Sequence, residues 1–347
     1  MIPDEGGAVH SGVVKGILGA IGDTPLVQLE RLLPGPGPGI YAKMESFNPG
    51  GSIKDRSAAG MLLDRIRSGE LDPRSVVVES SSGNLAIGLA QICRYYGLRF
   101  ICVVDARTTQ RNRSILRALG AEVEIVEQPD PHTGELLPVR LARVRELAAS
   151  IPYVYWPNQY ANPLNSRVHE HTMREIVEAL DGRVDYLFAA VSSCGTLRGC
   201  SDYIRRSGLN TRIVAVDAVG SAIFGNPVMP RLIPGHGAAV RPELATATMA
   251  DEVVHISDLE CVVSCRRLIQ RESVLAGGSS GAVVAALEQY APRIPADANV
   301  ALIFPDSGTG YLDTIYSDEW VTSHFGEISH LWNSKEPITF PAYQEAL

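Results

Sequence analysis

The sequence has no run of lysine or arginine, no Cys-x-x-Cys pair, no internal repeat and no apolar stretch near the roughly 20 residues that span a bilayer. The first absence, with a net charge of −8, excludes nucleic acid and anionic membrane as partners, because both require a cationic surface. Small molecules remain as ligands. Basic residues are also missing where a secretory signal needs them: MIPDEGGAVHSGVVKGILGAIG opens with acids, so the chain is expected in the cytoplasm. Its cysteines, at 93, 102, 194, 200, 261 and 265, lie in segments that read as buried strand or helix and are expected to be reduced thiols. Cys261 and Cys265 would share a helical face, where packing is the expectation and a metal or redox pair the alternative. Also absent are the Gly-x-x-x-x-Gly-Lys loop of nucleotide binders and the Gly-x-Gly-x-x-Gly dinucleotide fingerprint, so a phosphate site here need not mean ATP or NAD.

What is present is ordinary globular material: 347 residues, 45% hydrophobic and 20% charged, enough for two cores. From residue 76 short β-branched runs alternate with helical patterns, as SVVVES, LAIGLAQICRYYG, RFICVVD, TTQRNRSILRALG and AEVEIV. That alternation predicts a parallel sheet covered on both faces. It resumes with VDYLFAAV, TLRGCSDYIRRSG and TRIVAVDAV and closes with GAVVAALEQY and NVALIFPDSG, which predicts a second parallel sheet. Between them YVYWPNQYANPLNS, residues 153–166, is rich in proline and asparagine and marks the junction.

In parallel sheets ligands sit beyond the carboxyl ends of the strands, where loops and helix N-termini offer backbone N–H donors. Three such loops are rich in serine and glycine. ESSSGNLA, residues 79–86, suits a carboxylate, VSSCGTLRG, residues 191–199, suits a phosphate, and FPDSG, residues 304–308, offers Ser307 as a neutral hydrogen-bond partner. A single primary amine, Lys54, lies in the Gly-flanked stretch FNPGGSIKDR, read as a mobile loop. The amine, an Asn-bearing anion loop and a phosphate loop together describe pyridoxal phosphate held as an imine on Lys54.

IGDTPLVQL, FNPGGSIKDR, SSSGNLAIGLA, NQYANPLN, GGSSGA and FPDSGTGYL follow one another in an order and spacing that resemble the cysteine synthase and cystathionine β-synthase family over residues 15–325. These are fold-type II pyridoxal phosphate enzymes, so the resemblance implies an α/β chain of two domains like tryptophan synthase β, each a parallel-rich twisted sheet covered by helices. It implies a smaller domain over 46–160, a larger one over 1–45 and 161–330, a tail over 331–347, and a homodimer. By the same likeness Lys54 is the catalytic lysine and Asn84 meets the cofactor's ring oxygen. Ser192, Ser193, Cys194, Gly195 and Thr196 hold its phosphate, and Ser307 faces the ring nitrogen. Ser81, Ser82, Gly83 and Asn84 with Gln159 take the substrate α-carboxylate. A serine at the ring nitrogen keeps the cofactor a moderate electron sink, which favours β-elimination through an α-aminoacrylate over transamination.

Departures from cysteine synthase narrow the reading. Family members usually carry Gly-Thr-Gly-Gly-Thr and Thr-Ser-Gly-Asn-Thr-Gly, whereas this chain has SSCGT and SSSGNLA, and Tyr160 stands where phenylalanine is common. With PHTGELLPVR and FGEISHLWNSKEPITF these features resemble a branch that replaces the phosphate of O-phospho-L-serine by the amine of L-glutamate, a step toward 2,3-diaminopropionate for siderophores. Such anionic substrates need cations, for which Arg140 is the first candidate and Arg198 the second. Two other readings stand beside it: a cysteine synthase using sulfide, and a non-catalytic regulatory protein that only binds the cofactor.

Overall fold

Aliphatic and β-branched runs become strands, and the amphipathic segments between them become the helices that cover both faces. The computed structural model describes residues 12–131 and 136–333. Strands are β1 (Leu26–Gln28), β2 (Gly39–Met44), β3 (Val76–Ser80), β4 (Arg99–Asp105), β5 (Glu122–Val126), β6 (Val154–Tyr155), β7 (Tyr186–Ala190), β8 (Arg212–Ala218), β9 (Glu252–Ile256) and β10 (Asn299–Phe304). Helices are α1 (Lys54–Arg67), α2 (Asn84–Tyr96), α3 (Gln110–Ala118), α4 (Leu136–Ser150), α5 (Pro163–Arg167), α6 (His169–Ala179), α7 (Gly195–Arg206), α8 (Asp258–Glu272), α9 (Gly278–Tyr290) and α10 (Asp318–Phe325).

The strands form the two expected sheets. One is four-stranded in the order β5-β4-β3-β6 and parallel throughout. The other is six-stranded in the order β1-β2-β10-β7-β8-β9, parallel except for the antiparallel edge strand β1. Successive side chains alternate between faces as the strand period demands. Val77, Phe100, Cys102 and Val104 pack under α1 and α2, while Val76, Val78, Ile101 and Val103 meet Val144 and Leu147 of α4. In the larger sheet Phe188, Val214, Val216 and Leu302 face α8 and α9, and Leu187, Ala189, Ala215 and Ile303 face α6 and α7.

Four strands escape the sequence reading. Strand β6 has only two residues, too few for a period, and β1, β2 and β9 lie at or next to the sheet's edges, where pairing rather than a continuous apolar run defines them. All six cysteines are buried free thiols, and Cys261 and Cys265 share a buried face of α8 as core residues. Residues 132–135 of PHTGELLPVR and residues 334–347 of the tail lie outside the described residues.

A buried ionic network locks the start of α1 to the larger sheet. Arg56 donates to Glu45 at 2.7 Å and to Glu175 Oε2 at 2.6 Å, and Lys43 reaches the same Glu175 oxygen at 2.6 Å. Thr24 Oγ1 and Asn48 Nδ2 supply further donors to Glu45, at 2.7 and 2.8 Å. Burial alone would raise the Glu175 pKa, but Arg56 and Lys43 outweigh it and hold the carboxyl at about 2. Glu175→Gln is therefore expected to lower the unfolding free energy by about 3 kcal/mol, because two buried cations lose a counter-charge. Urea denaturation at neutral pH measures it. The folded pKa lies below the ordinary 4.5, so the carboxylate's contribution is present above pH 4.5 and lost as pH falls toward 2. An unchanged unfolding midpoint in the variant contradicts the assignment.

Candidate active site

The carboxyl ends of β3, β7 and β10 open onto one cavity of about 710 Å³ between the two sheets. Helices α2, α7 and α9 start at this cavity from Gly83, Cys194 and Gly277, and none has a side-chain cap. Helices α8 and α10, by contrast, are capped by Ser257 and Ser317. Uncapped N-termini leave backbone N–H groups for an anionic ligand.

Lys54 is the first residue of α1, and the stretch before it is hydrogen-bonded rather than mobile, which corrects the expectation of a flexible loop. Gly51 N–H donates to Asn48 O and Ile53 N–H to Pro305 O, each at 2.8 Å, and Asp55 accepts from Gly50 N–H. The glycines serve geometry instead: Gly51 has φ +87°, and a Cβ on Gly50 would stand 2.4 Å from Asp55 Oδ1. The Lys54 amine faces the cavity, and its desolvation, only partly opposed by Asp306, lowers its pKa toward a neutral nucleophile.

Asp306, which the sequence reading passed over, organises the site next to Lys54. Its Oδ2 accepts from Asn84 Nδ2 at 2.8 Å and from Tyr311 Oη at 3.1 Å, while Oδ1 is buried without a partner. Asn84 is thereby oriented at the cavity wall, with its second amide hydrogen free for a ligand. Ser307 lines the cavity too, but its hydroxyl already accepts from Thr309 N–H at 3.2 Å. A second hydroxyl, Ser279 in the first turn of α9, is buried in the same lining. It belongs to the GGSSGA motif, where the sequence offered no means of choosing between serines.

The loop carrying Ser192, Ser193, Cys194, Gly195 and Thr196 connects β7 to α7 along the cavity. Cys194 takes the left-handed φ of +65°, and Gly195 packs so tightly that a Cβ would stand 2.7 Å from the Asn165 amide. Asn165 also donates to Ser193 Oγ at 3.3 Å. His169 lies 3.4 Å from Thr196 Oγ1 and 3.1 Å from Ser57 Oγ of α1, so one buried imidazole, kept neutral by desolvation, anchors both the loop and the lysine helix.

Ser81, Ser82, Gly83, Gln159 and Tyr160 line the opposite wall. Asn112 Nδ2 holds Ser82 O at 2.9 Å. Beneath Gln159 lies Glu79, a strand residue missed in the sequence. It accepts from Trp156 Nε1 at 3.0 Å, the amides of Asn158 and Gln159 turn toward it, and burial pushes its carboxyl up to about 7. Burial likewise raises the Tyr160 pKa, which keeps it a phenol donor. Arg140 reaches the cavity from α4, where its Nη1 faces Asp105 Oδ2 at 3.2 Å and its buried Nε has no hydrogen-bond partner among the described residues. Arg198 does not line the cavity; it pairs with Asp202 at 2.8 Å one helical turn on, which removes the second candidate.

A family model described as pyridoxal-phosphate dependent enzyme matches residues 17–306. The chain belongs to this family. A relative from Ralstonia nicotianae, N-(2-amino-2-carboxyethyl)-L-glutamate synthase, is 45% identical over 310 residues, 89% of this chain and 91% of that protein. Among solved structures, O-ureido-L-serine synthase superposes with a TM-score of 0.82 at 30% identity, covering 92% of this chain and 98% of that one. The O-acetylserine dependent cystathionine β-synthase of Helicobacter pylori gives 0.81 at 32% identity, covering 88% and 100%. The fold-type II resemblance is thus borne out, and the protein is an enzyme whose cofactor is pyridoxal phosphate. The residues fit that group: a desolvated lysine amine, an uncapped helix N-terminus behind a small-residue loop, and an amide fixed by Asp306 surround one cavity. Among the described residues no helix is long and apolar enough to cross a membrane, and no cluster of His, Cys, Asp or Glu could hold a metal.

Proposed function

We propose that this enzyme replaces the phosphate of O-phospho-L-serine with the amine of L-glutamate, forming N-(2-amino-2-carboxyethyl)-L-glutamate and phosphate. The observation that carries the reading is Arg140, a buried guanidinium at the cavity wall whose Nε has no hydrogen-bond partner among the described residues and whose Nη1 faces Asp105 at 3.2 Å. Buried donors left unpaired are costly, and a phosphate group supplies the acceptors they lack. The 45% identity to the Ralstonia N-(2-amino-2-carboxyethyl)-L-glutamate synthase supports the same product.

When bound, pyridoxal phosphate supplies the electron sink that lets the Cα–H bond of an amino acid break heterolytically. The chain's residues do the rest. The loop of Ser192, Ser193, Cys194, Gly195 and Thr196 receives the cofactor's phosphate at the start of α7, and Asn84 meets its ring oxygen. Ser307 serves the ring nitrogen, with Ser279 as the second hydroxyl available for that task. Ser81, Ser82, Gly83 and Gln159 bind the substrate α-carboxylate, which sets the Cα–H bond toward Lys54. Lys54 Nζ takes the Cα proton and later returns it. Arg140, with Tyr160 beside it, draws the leaving phosphate away from Cβ, and Tyr160 with Ser192 and Ser193 then orients the incoming amine.

The rival with a structural argument is a cysteine synthase, since the cofactor residues would serve sulfide equally and the Helicobacter enzyme named above uses O-acetylserine. Mass spectrometry of products from O-phospho-L-serine offered with L-glutamate and sulfide together separates them. The glutamate adduct is expected to dominate; cysteine alone returns the protein to the cysteine synthases.

A further inference from the structure

Among the described residues the cavity lining holds four cations, Lys54, Arg107, Arg111 and Arg140, and one carboxylate, Asp306, which is already engaged by Asn84 and Tyr311. Lys54 and Arg140 have roles in the proposed reaction. Arg107 and Arg111 have none, and neither pairs with a carboxylate among the described residues. Arginines on the outer surface of the same sheet behave differently: Arg99 is bridged to Glu122 and Arg143 to Glu124.

We propose that Arg107 and Arg111 form a carboxylate subsite at the cavity mouth that takes the side-chain carboxylate of the incoming amino acid. This rests on the amino-acid nucleophile proposed above. The amine must face Cβ of the substrate near Lys54, which leaves its own α-carboxylate one carbon away, near Tyr160 and Ser193. A glutamate side chain then carries its second carboxylate two methylenes farther out, past the apolar wall of Ile115, Leu119 and Leu137.

Placement supports the assignment. Asp105 accepts from Arg107 N–H at 3.0 Å and faces Arg140 at 3.2 Å, so one carboxylate fixes both the inner cation and the strand end that carries the outer one. Arg111 reaches across the mouth from α3 to Thr309 Oγ1 at 3.3 Å, in the loop after β10. Gly310 leaves room for this, since a Cβ there would stand 3.1 Å from Arg111 Nη1. A carboxylate bound to Arg111 therefore lies between elements of both sheets.

The test is internal competition on the holoenzyme with saturating O-phospho-L-serine. L-glutamate, its isosteric amide L-glutamine, and sulfide are offered together, and the products are counted by mass spectrometry. All three compete after phosphate loss, so the ratios cancel effects on donor binding. Arg111→Gln, and more strongly the double variant Arg107→Gln/Arg111→Gln, is expected to lower the glutamate-to-glutamine product ratio about tenfold or more, the size of a lost charge-assisted hydrogen bond. Arg111→Lys should recover part of it. Should the wild type form the glutamate adduct while the double variant keeps the wild-type ratio, the subsite is wrong and the proposed function stands. Should the wild type form no glutamate adduct, the proposed function fails and takes the subsite with it.

Discussion

Lys54→Ala should lower turnover by a factor on the order of 10⁴ or more, because one side chain performs two tasks at the same carbon. Its amine is the only primary amine in the cavity lining among the described residues. Desolvation lowers its pKa, so at neutral pH more of it is in the form that can bond to a carbonyl or accept a proton. No other lining group can substitute as a base at that position. Asp306 is tied to Asn84 and Tyr311, and Cys194 is a buried thiol pushed up to about 12. The variant should still fold, since the ionic network around Arg56 that fixes the start of α1 does not include Lys54. Borohydride treatment followed by peptide mass mapping gives a second readout: the wild-type peptide with Lys54 should gain the cofactor's mass and the Ala peptide should not. Wild-type turnover in the variant ends this account of the site.

The sequence made Lys54 legible because a lone amine between glycines and a serine has few structural uses. The sheets were legible where strands are buried on both faces, as in VVVES and RFICVVD, whose residues are nearly all buried. Residues whose role depends on what surrounds them were not legible. Glu79 looks like a polar break in an apolar strand, but burial turns it into the acceptor beneath Gln159. Asp306 sits in FPDSG beside the serine that drew attention, and only the fold brings Asn84, 222 residues away, onto its carboxylate. Arg198 could have been discounted from sequence alone, because Asp202 at i+4 on a helix is a ready partner. Arg140 offered no such sign, and its standing comes from a buried Nε that folding leaves without an acceptor among the described residues.

That buried cation at the cavity wall sets the largest expected effect on substrate choice. Arg140→Gln should reduce kcat/KM for O-phospho-L-serine about 10²-fold, within the roughly 2–5 kcal/mol seen when one partner of a buried charged pair is removed. With O-acetyl-L-serine, whose leaving group is a monoanion, the loss should be less than about tenfold, so the preference between donors shifts. Glutamine is shorter than arginine but keeps the start of its aliphatic stem and an amide donor, and the released Asp105 retains the Arg107 amide at 3.0 Å. The Asp105 anchor at the end of β4 is therefore preserved while the charge is lost. Inorganic phosphate gives an independent reading: it should inhibit the wild type in competition with O-phospho-L-serine, and much more weakly inhibit the variant. Thermal unfolding of both proteins checks that the fold is intact. Equal losses with the two donors, together with unchanged phosphate inhibition, would make Arg140 a structural partner of Asp105 and move the phosphate elsewhere in the cavity.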